Sequence, residues 1–101
     1  MNAWLYVFDE FRPLDIESSV LLRLARDDPV KLFDIVRDVV EDYVGVVRDV
    51  RIHDIYIDPY THEVLVEFIA VCDSGEISVK IIYSDNPIAM LRKYYRFESF
   101  R

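Results

Sequence analysis

The chain has 101 residues, of which 52% are hydrophobic, and its formal net charge is −7 at pH 7. A chain this rich in apolar residues can bury a core, so disorder is excluded, and its length fits one domain over residues 1–101. The negative balance argues against broad, non-specific binding of nucleic acid, which depends on Lys and Arg neutralising phosphates.

The composition also predicts a compartment and a source. No apolar run approaches the roughly 20 residues of a membrane-spanning helix, and the first residues lack the features of a signal peptide. The single Cys72 cannot form an internal disulfide. We therefore expect an intracellular, cytoplasmic protein. Glutamine is absent and charged residues are abundant, which favours a hyperthermophilic archaeon or its virus, with the host cytoplasm as the location if viral.

The N-terminal segment predicts one strand and one helix. Residues 3–10, AWLYVFDE, are aromatic and β-branched, as expected of a strand of about six residues. Pro13 is expected to end this strand. Asp15 can then cap a helix that runs to Arg26.

A second, amphipathic helix is predicted after Asp28 and Pro29, where proline suits the first helical position. It is expected to end near Gly45. One long helix over residues 15–44 is disfavoured, because an internal proline would cost about 3 kcal/mol. The buried stripe of the second helix is expected to contain Leu32, Val36, Val39, Val40 and Tyr43.

The region up to Tyr83 predicts a three-stranded antiparallel meander. Asp58-Pro59 starts a turn, and a four-residue loop at 59–62 pairs Ile57 with Val64. Ser74-Gly75 is expected to form a two-residue hairpin turn. Since all the residues that this turn pairs on one face are apolar, we expect that face to be core. The predicted pairs are Cys72 with Ile77, Ala70 with Val79, Phe68 with Ile81 and Val66 with Tyr83.

A short C-terminal helix is predicted after Asn86 and Pro87, a cap followed by a proline. The element order is then strand, helix, helix, three strands and helix. This order predicts an α+β fold with the helices packed on a mainly antiparallel sheet.

Residues 52–63, IHDIYIDPYTHE, contain both histidines and three carboxylates. We interpret the segment as a hairpin, with a β-bulge at His53-Asp54 and with His62 in the left-handed conformation that ends such loops. At about 3.3 Å per residue, the two imidazoles would be roughly 16 Å apart, too far to share one ion. We therefore predict no catalytic residue, no metal site and no cofactor.

One enzymatic alternative remains open, a metal-dependent nuclease centred on Asp58. Such a centre would place a second acid two residues before a lysine on an adjacent strand. Here Ser78 stands where that acid should precede Lys80, and Glu76 is four residues away.

The segment 91–101, LRKYYRFESFR, combines cations with aromatic residues. Such a mixture can hold phosphates and stack on bases. The alternatives are that the cations favour the helix dipole while the aromatics dock on the sheet, or that the cations meet the acidic residues Asp34, Asp38, Glu41 and Asp42 of another copy. The candidate binding residues are Arg92, Lys93, Tyr94, Tyr95 and Arg96.

The outer face of the meander is a second candidate surface, because it is more apolar than a solvated face should be. An exposed apolar patch usually marks an interface, and two-fold dimers are the commonest oligomers. We therefore expect a homodimer, while the alternative is that the C-terminal helix covers this face within one chain. The candidate interface residues are Trp4, Tyr6, Leu65, Ile69, Val71 and Ile82.

The sequence thus favours a non-enzymatic interaction protein that self-associates. Nucleic-acid binding through the basic aromatic segment is the alternative, and the nuclease at Asp58 is a third hypothesis. No membrane partner is expected.

Overall fold

The computed structural model describes residues 1–100, leaving aside the side chains of Ser18 and Ser19. Arg101, the last cation of the basic aromatic segment, lies outside the described residues. The chain forms β1 (Asn2–Val7), β2 (Glu10–Leu14), α1 (Ser18–Asp27), α2 (Val30–Val44), β3 (Val47–Ile57), β4 (Val64–Cys72), β5 (Gly75–Ser84) and α3 (Pro87–Ser99).

The five strands form one antiparallel sheet in the order β2-β1-β5-β4-β3. The predicted α+β class and the order of helices and meander are confirmed, and β2 is an additional element. Within residues 1–100, no helix combines the length and the apolar character that crossing a membrane would require.

Helices cover both faces of the sheet. Helices α1 and α2 pack on one face, where Leu21 and Val36 meet Val66 and Phe68 in the main core. Helix α3 packs on the other face, where Tyr94 joins a smaller core. Because successive strand residues point to opposite faces, β4 contributes Val66 and Phe68 to the main core and Leu65 to the smaller core. The smaller core consists of Leu65, Ile82, Met90, Leu91 and Tyr94.

The predicted break between two N-terminal helices is confirmed, since α1 ends at Asp27 and α2 begins at Val30. Gly45 ends α2 with a φ of 84°, a conformation that glycine adopts without strain. Tyr43 differs from the prediction: it is exposed, and its hydroxyl donates to Glu10 instead of packing in the stripe.

The first strand is part of a hairpin that the sequence did not predict. Phe8 and Asp9 have φ values of 51° and 61°, as in the two-residue turns that join hairpin strands. Strand β2 then runs back along β1 with Pro13 opposite Trp4. The expectation that Pro13 ends the strand was wrong, because β2 is an edge strand, where a missing N–H is tolerated.

The hairpin of β3 and β4 has the predicted register. Ile57 pairs with Val64, the N–H of Asp58 donates to the carbonyl of Glu63 over 2.9 Å, and His62 has a φ of 61°. A register shift between Ile52 and Asp54 confirms the bulge at His53.

The hairpin of β4 and β5 is shifted by two residues from the prediction. Cys72 pairs with Gly75 instead of Ile77, so the turn is Asp73-Ser74, and Gly75 follows it with a φ of 128°. An even shift keeps each side chain on its face, so the predicted core face is unchanged. The shift does place Glu67 directly opposite Lys80.

Candidate functional site

Polar side chains collect between α3 and the sheet in two groups. The loop cluster consists of Asp58, Glu63, Ser84 and Lys93. The central cluster consists of His53, Asp54, Glu67, Tyr94 and Glu98.

The loop cluster joins α3 to the tip of the β3–β4 hairpin. The Lys93 ammonium donates to Asp58 over 3.1 Å and to Glu63 over 2.9 Å. The other oxygen of Asp58 accepts the backbone N–H groups of Tyr60 and Thr61. The N–H of Tyr60 and the Lys93 ammonium together hold the pKa of Asp58 below its usual value. Asp58 therefore acts as an ionised group that fixes the loop and the helix together.

Glu63 is buried in the same cluster. Burial raises the pKa of its carboxyl, but hydrogen bonds from Ser84, Lys93 and Thr61 outweigh burial, so the pKa lies below its usual value. Glu63 and, to a smaller extent, Asp58 raise the pKa of Lys93 in return. The cluster is thus a satisfied ion-pair network on the second face of the sheet.

This arrangement gives no support to a nuclease centre at Asp58. The carboxylate is engaged by the loop amides and Lys93. Lys80, the lysine of the proposed motif, instead bonds to Glu67 in the central cluster.

The central cluster surrounds the buried hydroxyl of Tyr94. Its oxygen lies 2.8 Å from a carboxylate oxygen of Glu98, 3.1 Å from Asp54 and 3.2 Å from Glu67. A phenol has one hydrogen, so it donates to one of these oxygens at a time. Burial, reinforced by the hydrogen bond to Glu98, raises the pKa of Tyr94 well above its usual value, which keeps the hydroxyl protonated.

Glu67 is the buried acid of the central cluster, with its side chain 9% exposed. Its Oε2 accepts from the Lys80 ammonium over 3.0 Å and from the Ser78 hydroxyl over 2.8 Å. Burial raises the pKa of Glu67, but these two donors outweigh burial and lower it overall. Lys80 is itself buried, between the rings of Tyr6 and Tyr95 at 5.8 Å and 5.4 Å.

His53 reaches the central cluster from the bulge in β3. Its Nε2 lies 3.7 Å from Oε1 of Glu67, the oxygen that Lys80 does not contact. One nitrogen of His53 and one carboxylate oxygen from each of Glu67 and Glu98 lie within 4.8 Å of one another. These three side chains could hold a metal ion, whereas His62 lies at the hairpin tip and is not in this group.

The predicted nucleic-acid-binding residues divide between surface and interior. Arg92, Tyr95 and Arg96 are exposed, but Tyr94 is fully buried and Lys93 is held by the loop cluster. The basic aromatic segment therefore presents two arginines and one of its two tyrosines to solvent.

The predicted interface residues lie on the second face of the sheet. Leu65 and Ile82 are fully buried in the smaller core, and Trp4 and Tyr6 pack against it. These four residues are therefore covered by α3 of the same chain, which is the alternative to an interface with a second copy. Ile69 and Val71 are half-buried nearer the β4–β5 turn.

Sequence reasoning missed Glu67 and Glu98 as members of a site. Glu67 is the one charged residue of β4, and a charge in an otherwise apolar strand needs a partner. Lys80 on the next strand supplies that partner, a signal that would also have selected the observed register. Glu98 carries no such signal, because only the path of α3 brings it near the sheet.

In comparisons with known proteins, no family model, no curated protein and no solved structure matches the chain.

Proposed function

We propose that this protein is a non-enzymatic interaction protein that self-associates through oppositely charged helix faces. The observation that carries the proposal is the placement of these faces on opposite sides of the sheet. The acidic face of α2 consists of Asp34, Asp38, Glu41 and Asp42. The basic face of α3 consists of Arg92 and Arg96.

The acidic face of α2 points away from the sheet. Its four carboxylates are exposed, whereas Leu32, Val36 and Val40 of the same helix are buried. Among residues 1–100, none of the four forms an ion pair. Glu41 accepts the backbone N–H of Val47 over 3.4 Å, and the carboxylates of Asp34, Asp38 and Asp42 remain available to a basic partner.

The basic face of α3 is complementary to it. Arg92 and Arg96 are one helical turn apart and exposed, and neither forms an ion pair within the described part of the chain. Tyr95 and Phe100 expose apolar surface beside them, at 46% and 89%. A second copy that presents its acidic face offers this surface opposite charge.

Because the two faces lie on opposite sides of the sheet, the contact joins unlike surfaces. A dimer is the first product, and it retains one free face of each kind, so further copies can add. The net charge of −7 opposes association. Exposed ion pairs of two arginines at about 0.2–1 kcal/mol each contribute no more than about 2 kcal/mol, so burial of the exposed rings of Tyr95 and Phe100 must add the rest of the roughly 4 kcal/mol that a dissociation constant of about 1 mM requires.

Sedimentation equilibrium of two charge-reversed variants tests this proposal. Arg92→Glu with Arg96→Glu, and separately Asp34→Lys with Asp38→Lys, are each expected to remain monomeric where the wild type associates. An equimolar mixture of the two variants should associate again, because both contacts are then complementary. Arg23→Glu with Arg26→Glu on α1 is the matched control for Arg92→Glu with Arg96→Glu, since both pairs of substitutions change the net charge by the same amount and in the same direction.

The control is expected to associate like the wild type. A wild type that stays monomeric at millimolar concentration would contradict the proposal. So would a mixture of the charge-reversed variants that stays monomeric, or a control that loses association equally.

Nucleic-acid binding by the same face of α3 is the second candidate. Its support is the exposure of Arg92 and Arg96 beside the rings of Tyr95 and Phe100, which combines cations with stacking surfaces. Binding to single- or double-stranded DNA should then weaken steeply with salt. The Arg92→Glu, Arg96→Glu variant should lose it, whereas the Asp34→Lys, Asp38→Lys variant should keep it.

We further propose a hyperthermophilic source and a cytoplasmic location, on the ground of composition. The absence of glutamine, the scarcity of asparagine and the 31% charged residues support the first. The single, buried Cys72 is compatible with a reducing compartment.

A further inference from the structure

We propose that the central cluster binds a divalent transition-metal ion, with His53, Glu67 and Glu98 as its ligands. The three side chains come from β3, β4 and α3, and they converge because the helix crosses the sheet at this point. One imidazole nitrogen and two carboxylate oxygens suit Zn²⁺, Co²⁺ or Mn²⁺.

The distances fit a site in which one ligand is fixed and two adjust. In a tetrahedral zinc site with bonds of about 2.1 Å, ligand atoms are about 3.4 Å apart, and the three here lie within 4.8 Å of one another. Glu67 is anchored, because Lys80 and Ser78 hold its other oxygen. The side chain of His53 is 55% exposed and Glu98 is half-buried, so packing restrains both less than it restrains Glu67.

The hydroxyl of Tyr94 contacts two of the three proposed ligands. The single hydroxyl hydrogen cannot serve both Glu98 and Glu67, although their oxygens lie 2.8 Å and 3.2 Å from the hydroxyl oxygen. A cation between the two carboxylates would offset their mutual repulsion, and the hydroxyl would remain a donor to one of the two ligands. Tyr94 is in this sense a positioning residue.

The exposed side of the site makes it accessible to ions and water. His53 faces solvent, so a bound ion would keep one or more positions for water. The acidic face of α2 lies on the other side of the sheet and is remote from this site, whereas Arg92 and Arg96 lie on the same helix as Glu98.

Titration of the protein with Co²⁺ tests the inference, because bound Co²⁺ absorbs visible light according to its ligands. The wild type, freed of metal with a chelator that is then removed, is expected to bind one Co²⁺, and Zn²⁺ should displace it. His53→Ala and Glu98→Gln should each weaken binding at least tenfold. Glu98→Gln keeps a hydrogen-bonding group for Tyr94, and circular dichroism checks that both variants are folded.

His62→Ala is the matched control, since His62 is the second of two histidines and is exposed at the hairpin tip. It should bind Co²⁺ like the wild type. The inference is overturned if the wild type does not bind at about 1 mM Co²⁺, or if His53→Ala or Glu98→Gln retains wild-type affinity. It is equally overturned if His62→Ala loses as much affinity as His53→Ala.

Discussion

Lys93 has a structural part in this protein that its position in a basic segment conceals. Arg92 and Arg96 on the same helix face solvent, whereas Lys93 reaches Asp58 and Glu63 at the tip of the β3–β4 hairpin. The sequence could not show this, because three cations in five residues look alike until the helix is docked. Once α3 is in place, Lys93 belongs to an ion-pair network, and Arg92 and Arg96 are exposed to solvent.

Replacing Lys93 should destabilise the fold in a pH-dependent way. Asp58 and Glu63 have folded-state pKa values below their ordinary 3.8 and 4.5. Their contribution is therefore present above pH 4.5 and is lost as the pH falls through the folded values. We expect Lys93→Met to lower the unfolding temperature at pH 7, with the difference from the wild type narrowing at pH 3.

Arg92→Met is the control for this prediction, because Arg92 is exposed on the same helix and forms no ion pair within residues 1–100. It should leave the unfolding temperature nearly unchanged at both pH values. An equal loss for Lys93→Met at pH 3 and pH 7 would show that the ion pairs are not the cause.

Tyr94→Phe tests the hydroxyl at the centre of the central cluster. The variant keeps the ring in the smaller core but leaves Glu67, Asp54 and Glu98 without their shared donor. Loss of a buried donor to charged acceptors should lower the free energy of unfolding by about 1–3 kcal/mol in urea titrations. Tyr95→Phe, on the exposed side of α3, should change it by less than about 0.5 kcal/mol. Equal stability of Tyr94→Phe and the wild type would contradict this reading of the cluster.

At the scale of elements, turn chemistry decided which parts of the sheet were predictable. Asp58-Pro59 and the positive φ of His62 define one loop, so the register of β3 and β4 followed from the sequence. The turn of β4 and β5 was ambiguous, because Gly75 can lie within a turn or directly after it. A two-residue shift preserves the faces, so apolar pairing could not separate these choices. The hairpin of β1 and β2 was missed because Phe8-Asp9 contains neither glycine nor asparagine.

A double-mutant cycle on Glu67 and Lys80 tests the observed register of β4 and β5. The two residues are directly opposite, and Nζ of Lys80 lies 3.0 Å from Oε2 of Glu67. The effects of Glu67→Gln and Lys80→Met on the free energy of unfolding should therefore be coupled by at least about 1 kcal/mol, as measured in unfolding titrations with a metal chelator present. The control cycle pairs Glu76→Gln with Lys80→Met. Glu76 instead bonds to Arg51 over 2.9 Å, so this pair should show no coupling. Comparable coupling in both cycles would argue against the register.

At the scale of the whole molecule, the docking of α3 on the sheet forms both the smaller core and the candidate metal site. The ligands at positions 53, 67 and 98 are distant in sequence, and no local motif links them. Hydrophobic patterning predicted that something covers the outer face, but it could not distinguish the chain's own helix from a second copy. The docking of α3 decides that question for Leu65 and Ile82, which the chain's own helix covers.

The central claim is that α3 packs on the second face of the sheet, and its position in solution can be measured directly. The rings of Tyr56 on β3 and Phe97 on α3 are stacked with their centroids 4.8 Å apart, although the residues are far apart in the chain. A nuclear Overhauser spectrum is therefore expected to show cross-peaks between their ring protons. If Phe97 shows cross-peaks only to its neighbours in α3, the helix does not pack on the sheet in the position that the smaller core and the candidate metal site both require.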